Sequence, residues 1–110
     1  MCMGIDVEVV VAPPTVALKA LAEPLRWRIV ELLAGEELCV CHLTDELGVA
    51  QPLVSHHLRV LREAGLVESQ RWRAWTYYRL RPGAVDGVGA ALTDLGARCP
   101  DAGERRRPCG

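Results

Sequence analysis

The sequence predicts a mainly α domain carrying a β-hairpin wing, a winged helix-turn-helix in homodimeric form, and three observations lead there. Two stretches of helical apolar spacing, around CHLTDEL and QPLVSHHLRVLREA, are joined only by Gly48-Val49-Ala50, a link that fits a tight turn between helices. After Gly65 the pattern changes to the alternation of strands in LVESQRW and AWTYYRL, with a short polar link near Arg73. The chain, at 110 residues, is long enough for one domain with a modest core, and burial against a second copy would add to it considerably.

Taken in order, residues 1–14 read as a flexible arm, because Ala12-Pro13-Pro14 is a stiff extended step without amide donors at the prolines. The domain is expected to span 15–98. Thr15 is a candidate N-cap for a short helix through Ala22, with Val16, Leu18 and Leu21 on its buried side. Pro24 suits the first turn of a second helix, in which Leu25, Ile29, Leu32 and Leu33 recur until Gly35 stops it.

A third helix is expected over Cys39 to Leu47, ending at Gly48, a residue type that favours the left-handed cap. The fourth runs from Gln51 to Ala64, with Val54, Leu58 and Leu61 forming its apolar stripe. Gln51, Ser55, His56 and Arg59 lie off that stripe and are hydrogen-bonding types able to meet base edges or phosphates. The hairpin tip carries Arg71 and Arg73, while some of Trp72, Trp75, Tyr77 and Tyr78 are expected to pack inward.

Pro82 opens a last helix to Arg98, with Val85, Val88, Leu92 and Leu95 on one side. Gly87, Gly89 and Gly96 each weaken it by about 1 kcal/mol relative to alanine, so it needs a partner surface, which a two-fold copy would supply. The tail, 99–110, has no apolar periodicity and is expected to be disordered.

The formal net charge of −1 conceals a strong asymmetry. Residues 1–50 carry 3 basic and 8 acidic side chains, whereas residues 51–81 carry 6 and 2. The basic middle, with Arg59, Arg62, Arg71, Arg73, Arg79 and Arg81, gives an otherwise acidic chain a local surface for phosphates. VEVVVA is too short to span a bilayer and lacks the flanks of a signal peptide, so the expectation is a cytoplasmic protein with no membrane partner.

Five cysteines, Cys2, Cys39, Cys41, Cys99 and Cys109, are an odd number and a poor disulfide framework for a reducing compartment. Cys39 and Cys41 stand out, since a close thiol pair opens the helix before the candidate reading helix. An enzyme is disfavoured, because C-x-C lacks the C-x-x-C redox spacing and no βαβ pattern surrounds it.

LAEPLRWRIVELL, ELCVCHLTDELGVAQPLVSHHLRVLREAGLV and RWRAWTYYRL together resemble the ArsR/SmtB winged-helix metalloregulators of bacteria, over about residues 18 to 81. The pattern S-x-H-L-x-x-L-x-x-A-G-L-V, from Ser55 to Val67, is the most specific part. The resemblance implies a homodimeric repressor that binds an imperfect inverted repeat in double-stranded operator DNA and leaves it when a toxic metal or metalloid binds. It implies DNA contacts by Gln51, Ser55, His56 and Arg59 and by Arg71 and Arg73 on the wing; His57 is expected to pack or buttress the helix.

The family's thiol-sensing branches carry E-L-C-V-C, here Glu37 to Cys41, which makes Cys39 and Cys41 the implied ligands of As(III) or Sb(III). Where the arsenic-sensing pattern commonly has a third cysteine, this chain has Thr44, leaving Cys2, Cys99 or Cys109 as third-ligand candidates. His42, a nitrogen donor, points towards zinc instead. Cd(II), Pb(II) or Hg(II) as inducer, or thiol oxidation on the same fold, are the alternatives. The last helix offers Asp86 and Asp94 but no histidine, against a pure zinc sensor. On an ideal helix, residues two apart diverge by about 200°, so chelation by Cys39 and Cys41 requires a non-helical first turn at Cys39.

Overall fold

The computed structural model describes residues 13–108. Its elements are α1 (Pro14–Leu21), α2 (Pro24–Gly35), β1 (Leu38–Cys39), α3 (Val40–Leu47), α4 (Gln51–Glu63), β2 (Val67–Trp72), β3 (Trp75–Leu80) and α5 (Pro82–Ala97). The three strands form one antiparallel sheet in the order β1-β3-β2. This is the winged helix-turn-helix that the sequence predicts, down to the Gly48-Val49-Ala50 link between α3 and α4.

Helix ends follow local chemistry. Glu23 caps α2 by accepting backbone N–H donors from Leu25 and Arg26, with Pro24 in the first turn where a missing amide costs nothing. Gly48 ends α3 in the left-handed conformation, φ 68°, with its N–H on the Thr44 carbonyl at 2.8 Å. Gly65, φ 79°, terminates α4 in a Schellman pair: its own N–H reaches Arg62 O at 2.9 Å, and Leu66 N–H reaches Leu61 O at 3.0 Å. The chain is thereby turned into β2, and Arg81 N–H closes the base of the hairpin on Leu66 O at 2.9 Å.

The core sits between α2, α3, α4 and the sheet. Ile29, Leu43, Val54, Leu58, Leu61 and Leu66 are its fully buried large side chains. Burying each contributes about 1.5–3 kcal/mol, and three of them come from α4, so that helix is anchored by the core itself.

Two expectations need correction. Pro13, not Thr15, is the N-cap of α1, because Pro14 already has the φ that a first helical residue requires. Cys39 is not the first residue of α3 but belongs to β1, where Leu38 pairs with Tyr78 and Cys39 with Tyr77. Helical periodicity cannot register a two-residue strand whose partner lies nearly forty positions away. Some of the wing aromatics do pack inward, as expected: Tyr77 and Tyr78 are partly buried, whereas Trp72 and Trp75 are 54% and 49% exposed and stacked on each other across the turn.

Helix α5 lies against α1 and buries Val88, but leaves Val85, Leu92 and Leu95 exposed, as α1 leaves Val16. Residues 98–108 form neither helix nor strand. The expected arm at 1–12, with Cys2, lies outside the described residues, as does Cys109.

Candidate nucleic-acid interface and thiol site

Helix α4 separates its faces cleanly. Val54, His57, Leu58 and Leu61 are buried, while Gln51, His56 and Arg59 are exposed and Ser55 is half-buried at the margin. The side chains singled out in the sequence therefore share the outward side of one helix. Arg62 extends that side by a turn.

The wing carries Arg71 and Arg73, both exposed, at its tip. Arg73 occupies the first of two loop positions with φ 56°, a left-handed conformation that costs a side chain about 1–2 kcal/mol. Its guanidinium lies 4.6 Å from the centre of the Trp72 ring, a cation–π contact that helps hold the turn. Arg71 Nε donates to the Arg73 carbonyl at 3.4 Å. Arg79, by contrast, is paired with Glu68 at 3.2 Å and Glu37 at 3.9 Å, so the segment's charge count overstates what it offers to phosphates.

Cys39 is buried, with φ −91° and ψ 171°, and forms the N-cap of α3. Its backbone N–H donates to Nδ1 of His42 at 3.2 Å, and its Sγ lies 3.3 Å from the same nitrogen. As the acceptor, Nδ1 is unprotonated and the ring hydrogen sits on Nε2. Cys41 is exposed in the first turn of α3. The non-helical turn at Cys39 that chelation requires is thus part of the fold, since strand geometry frees Cys39 from the helical angle. Thiols as a class suit thiophilic ions; here one is buried beside the His42 nitrogen and the other is exposed.

Thr44, where a third thiol would stand, donates its hydroxyl to the Val40 carbonyl at 2.8 Å. Cys99 is exposed near the end of α5, its thiol 3.5 Å from Leu95 O. Among the described residues, no group of three or more His, Cys, Asp or Glu side chains is assembled for a metal ion.

His57 has the buried position expected of it, 6% exposed, but its partners were not foreseen. Nδ1 is 3.1 Å from Arg26 Nη1 and Nε2 is 3.6 Å from Glu23 Oε2. Burial lowers the His57 pKa from the usual 6.5, with Arg26 and His56 acting in the same sense and Glu23 opposing. For Glu23, burial pushes the pKa up, but the N–H bonds from Arg26 and Leu25 and the nearby His57 and Arg26 charges bring it below 4.5. The only sequence signal for Glu23 was its place before Pro24 at a helix start; nothing local pointed from Glu23 or Arg26 to His57.

The fold and the outward face of α4 define the class, a winged helix-turn-helix regulator. The family model described as bacterial regulatory protein, arsR family, matches residues 23–69. The arsenic resistance transcriptional regulator ArsR1 of Pseudomonas putida is 46% identical over 80 residues, which cover 72% of this chain and 62% of that protein. The arsenical resistance operon repressor of Escherichia coli K12 is 40% identical over 87 residues, covering 78% and 74% respectively. A solved structure described as a possible transcriptional regulator for arsenical resistance superposes with a TM-score of 0.67 at 37% identity, covering 72% of this chain and 82% of that one.

This chain belongs to the arsR family of bacterial regulatory proteins, as its sequence resemblance implied. It is a transcriptional regulator and not an enzyme. No described helix is long and apolar enough to cross a membrane.

Proposed function

We propose that this protein is a homodimeric repressor of the bacterial cytoplasm that binds an imperfect inverted repeat in operator DNA and releases it when As(III) or Sb(III) is captured by Cys39 and Cys41. One observation carries the reading: the Cys39 thiol sits at the N-cap of α3, and α3 packs directly on α4, the helix with the outward polar face. Gln51, Ser55, His56 and Arg59 contact the major groove, and Arg71 and Arg73 lie along the backbone or in the adjacent minor groove. The exposed Val16, Val85, Leu92 and Leu95 on α1 and α5 are the surface a second copy covers.

Capture of the ligand by the Cys39 thiolate takes Sγ away from His42 and loosens the cap of α3. Loss of an N-cap costs about 0.5–2 kcal/mol, and helix α4 feels it through the short link at Gly48. The free energy by which ligand favours the loosened shape is the coupling; a hundredfold weakening of DNA binding requires about 2.7 kcal/mol. Support for the metalloid comes from the arsenic-resistance regulators among the relatives. The third donor is Cys2, Cys99 or Cys109, or an exogenous thiol. A second reading has Cd(II), Pb(II) or Hg(II), which also take thiolate ligands, as the inducer at the same two thiols.

The test is fluorescence anisotropy on a labelled duplex selected from a random pool by the protein itself, under anaerobic reducing conditions. Arsenite, antimonite, cadmium, lead and mercury are titrated separately. Release by stoichiometric arsenite is the expected result. Release by a divalent ion alone selects the second reading, and release by none of the five but by peroxide, added in a separate titration without reductant, replaces both with thiol oxidation.

A further inference from the structure

A buried histidine on the inward side of α4, held by two side chains from α2, is more apparatus than packing requires. Burying a polar group without partners costs free energy, and an apolar residue would fill the same space without that cost. The network spans three helices. Arg26 Nε donates to the Ala20 carbonyl at the end of α1 at 2.6 Å, and Nη1 of the same guanidinium faces His57 Nδ1 at 3.1 Å. Glu23 uses one carboxylate oxygen to cap α2 and brings the other to 3.6 Å from His57 Nε2.

Each polarity follows from chemistry. A guanidinium cannot accept a hydrogen bond, so Nδ1 must be the acceptor; Nε2–H then lies on the side of the Glu23 carboxylate, 3.6 Å from Oε2, an electrostatic contact longer than a hydrogen bond. The neutral Nε2–H tautomer accepts from Arg26 and turns its N–H towards Glu23, whereas a proton on Nδ1 would set two donors against each other. One residue before it, His56 turns outward, the two rings 5.2 Å apart between centres, so the network lies directly beneath a residue assigned to DNA.

We infer that His57 is a positioning residue: with Glu23 and Arg26 it latches the reading helix to the α1–α2 corner and fixes the rotation at which α4 is presented to DNA. The inference rests on the DNA-binding reading of α4 given above. Because the latch works only with an unprotonated Nδ1, it opens in acid. The groups acting on the ring are Glu23 and Arg26 from α2 and His56 from α4. His56 lies beside the ring and is itself assigned to DNA, so its contribution has to be removed.

The experiment compares His56→Gln with His56→Gln, His57→Gln on the selected duplex, by anisotropy from pH 7.5 to 5.5. Glutamine can accept from Arg26 and donate to Glu23 but does not titrate. The two proteins are expected to bind within about twofold of each other at pH 7.5, and only the protein that keeps His57 loses affinity on acidification, by about tenfold. His57→Leu, folded by circular dichroism, is expected to bind about tenfold or more weakly at pH 7.5. Superimposable pH profiles, or a folded His57→Leu with full affinity, would overturn the latch.

Ring ¹⁵N NMR of the full chain without DNA tests the tautomer separately. Nε2–H with an unprotonated Nδ1 is expected, and Nδ1–H or averaged nitrogens contradict the latch. Should no duplex be enriched from the pool, the DNA reading fails while the tautomer measurement still decides whether the network exists.

Discussion

Cys39 and His42 cap each other at the start of α3: the Cys39 backbone N–H donates to His42 Nδ1 at 3.2 Å, and the thiol sits 3.3 Å from the same nitrogen. One residue is thus both the last of a strand hydrogen-bonded to the wing and the cap of the helix packed on α4. Whatever occupies the thiol acts on both attachments.

Removing the cap is therefore expected to destabilise the protein without touching the core. His42→Ala should lower unfolding free energy by about 0.5–2 kcal/mol, measured as a shift of the urea midpoint at constant m-value. An unchanged midpoint would mean that the N–H of Cys39 finds water as good a partner.

The wing tip separates backbone strain from charge. Arg73 holds φ 56°, so Arg73→Gly relieves about 1 kcal/mol of left-handed strain and raises thermal stability. The same change removes a cation from the wing, and operator affinity should fall with the salt slope shallower by about 1. A weaker fold together with unchanged DNA binding would place Arg73 in a structural role through Trp72.

Acid should weaken the fold in two steps. The His57 pKa is lowered from 6.5 in the folded chain, so the unfolded chain takes up that proton first; stability is full above about 6.5 and declines as pH falls below it. Glu23, lowered from 4.5, contributes stability above that value that is lost as pH falls through its folded pKa. Urea midpoints from pH 8 to 3 should show both declines, and His57→Gln should remove the first alone. A first decline that persists in His57→Gln would assign it to another group.

Core anchoring of α4 predicts that Leu58→Ala, at a position 1% exposed, costs about 2–5 kcal/mol. Chemical denaturation measures it directly, and a loss under 1 kcal/mol would show that the surroundings collapse around the cavity.

Much of the fold was legible because it is written in local chemistry. Gly48 and Gly65 end helices in left-handed conformations, Pro24 and Pro82 begin them, and the change of apolar period after Gly65 marks the wing. The outward set on α4 followed from the stripe of Val54, Leu58 and Leu61, which fixes every other residue's direction. What could not be read were the long-range pairings. The strand at Leu38–Cys39 exists only because Tyr77 and Tyr78 lie alongside, and the partners of His57 sit 31 and 34 positions away. Which of the wing's aromatic residues turn inward was not legible for a related reason. Two tryptophans at the turn can satisfy each other across the hairpin, Trp72 on Trp75 with ring centres 6.5 Å apart, and need no core.

The decisive measurement is arsenite titration of the selected duplex bound to wild-type protein and to Cys39→Ser, Cys41→Ser, followed by anisotropy under reducing conditions. Both proteins should bind DNA alike before arsenite, and only the wild type should be released, with affinity falling about a hundredfold. Equal release of the two proteins would contradict sensing by Cys39 and Cys41.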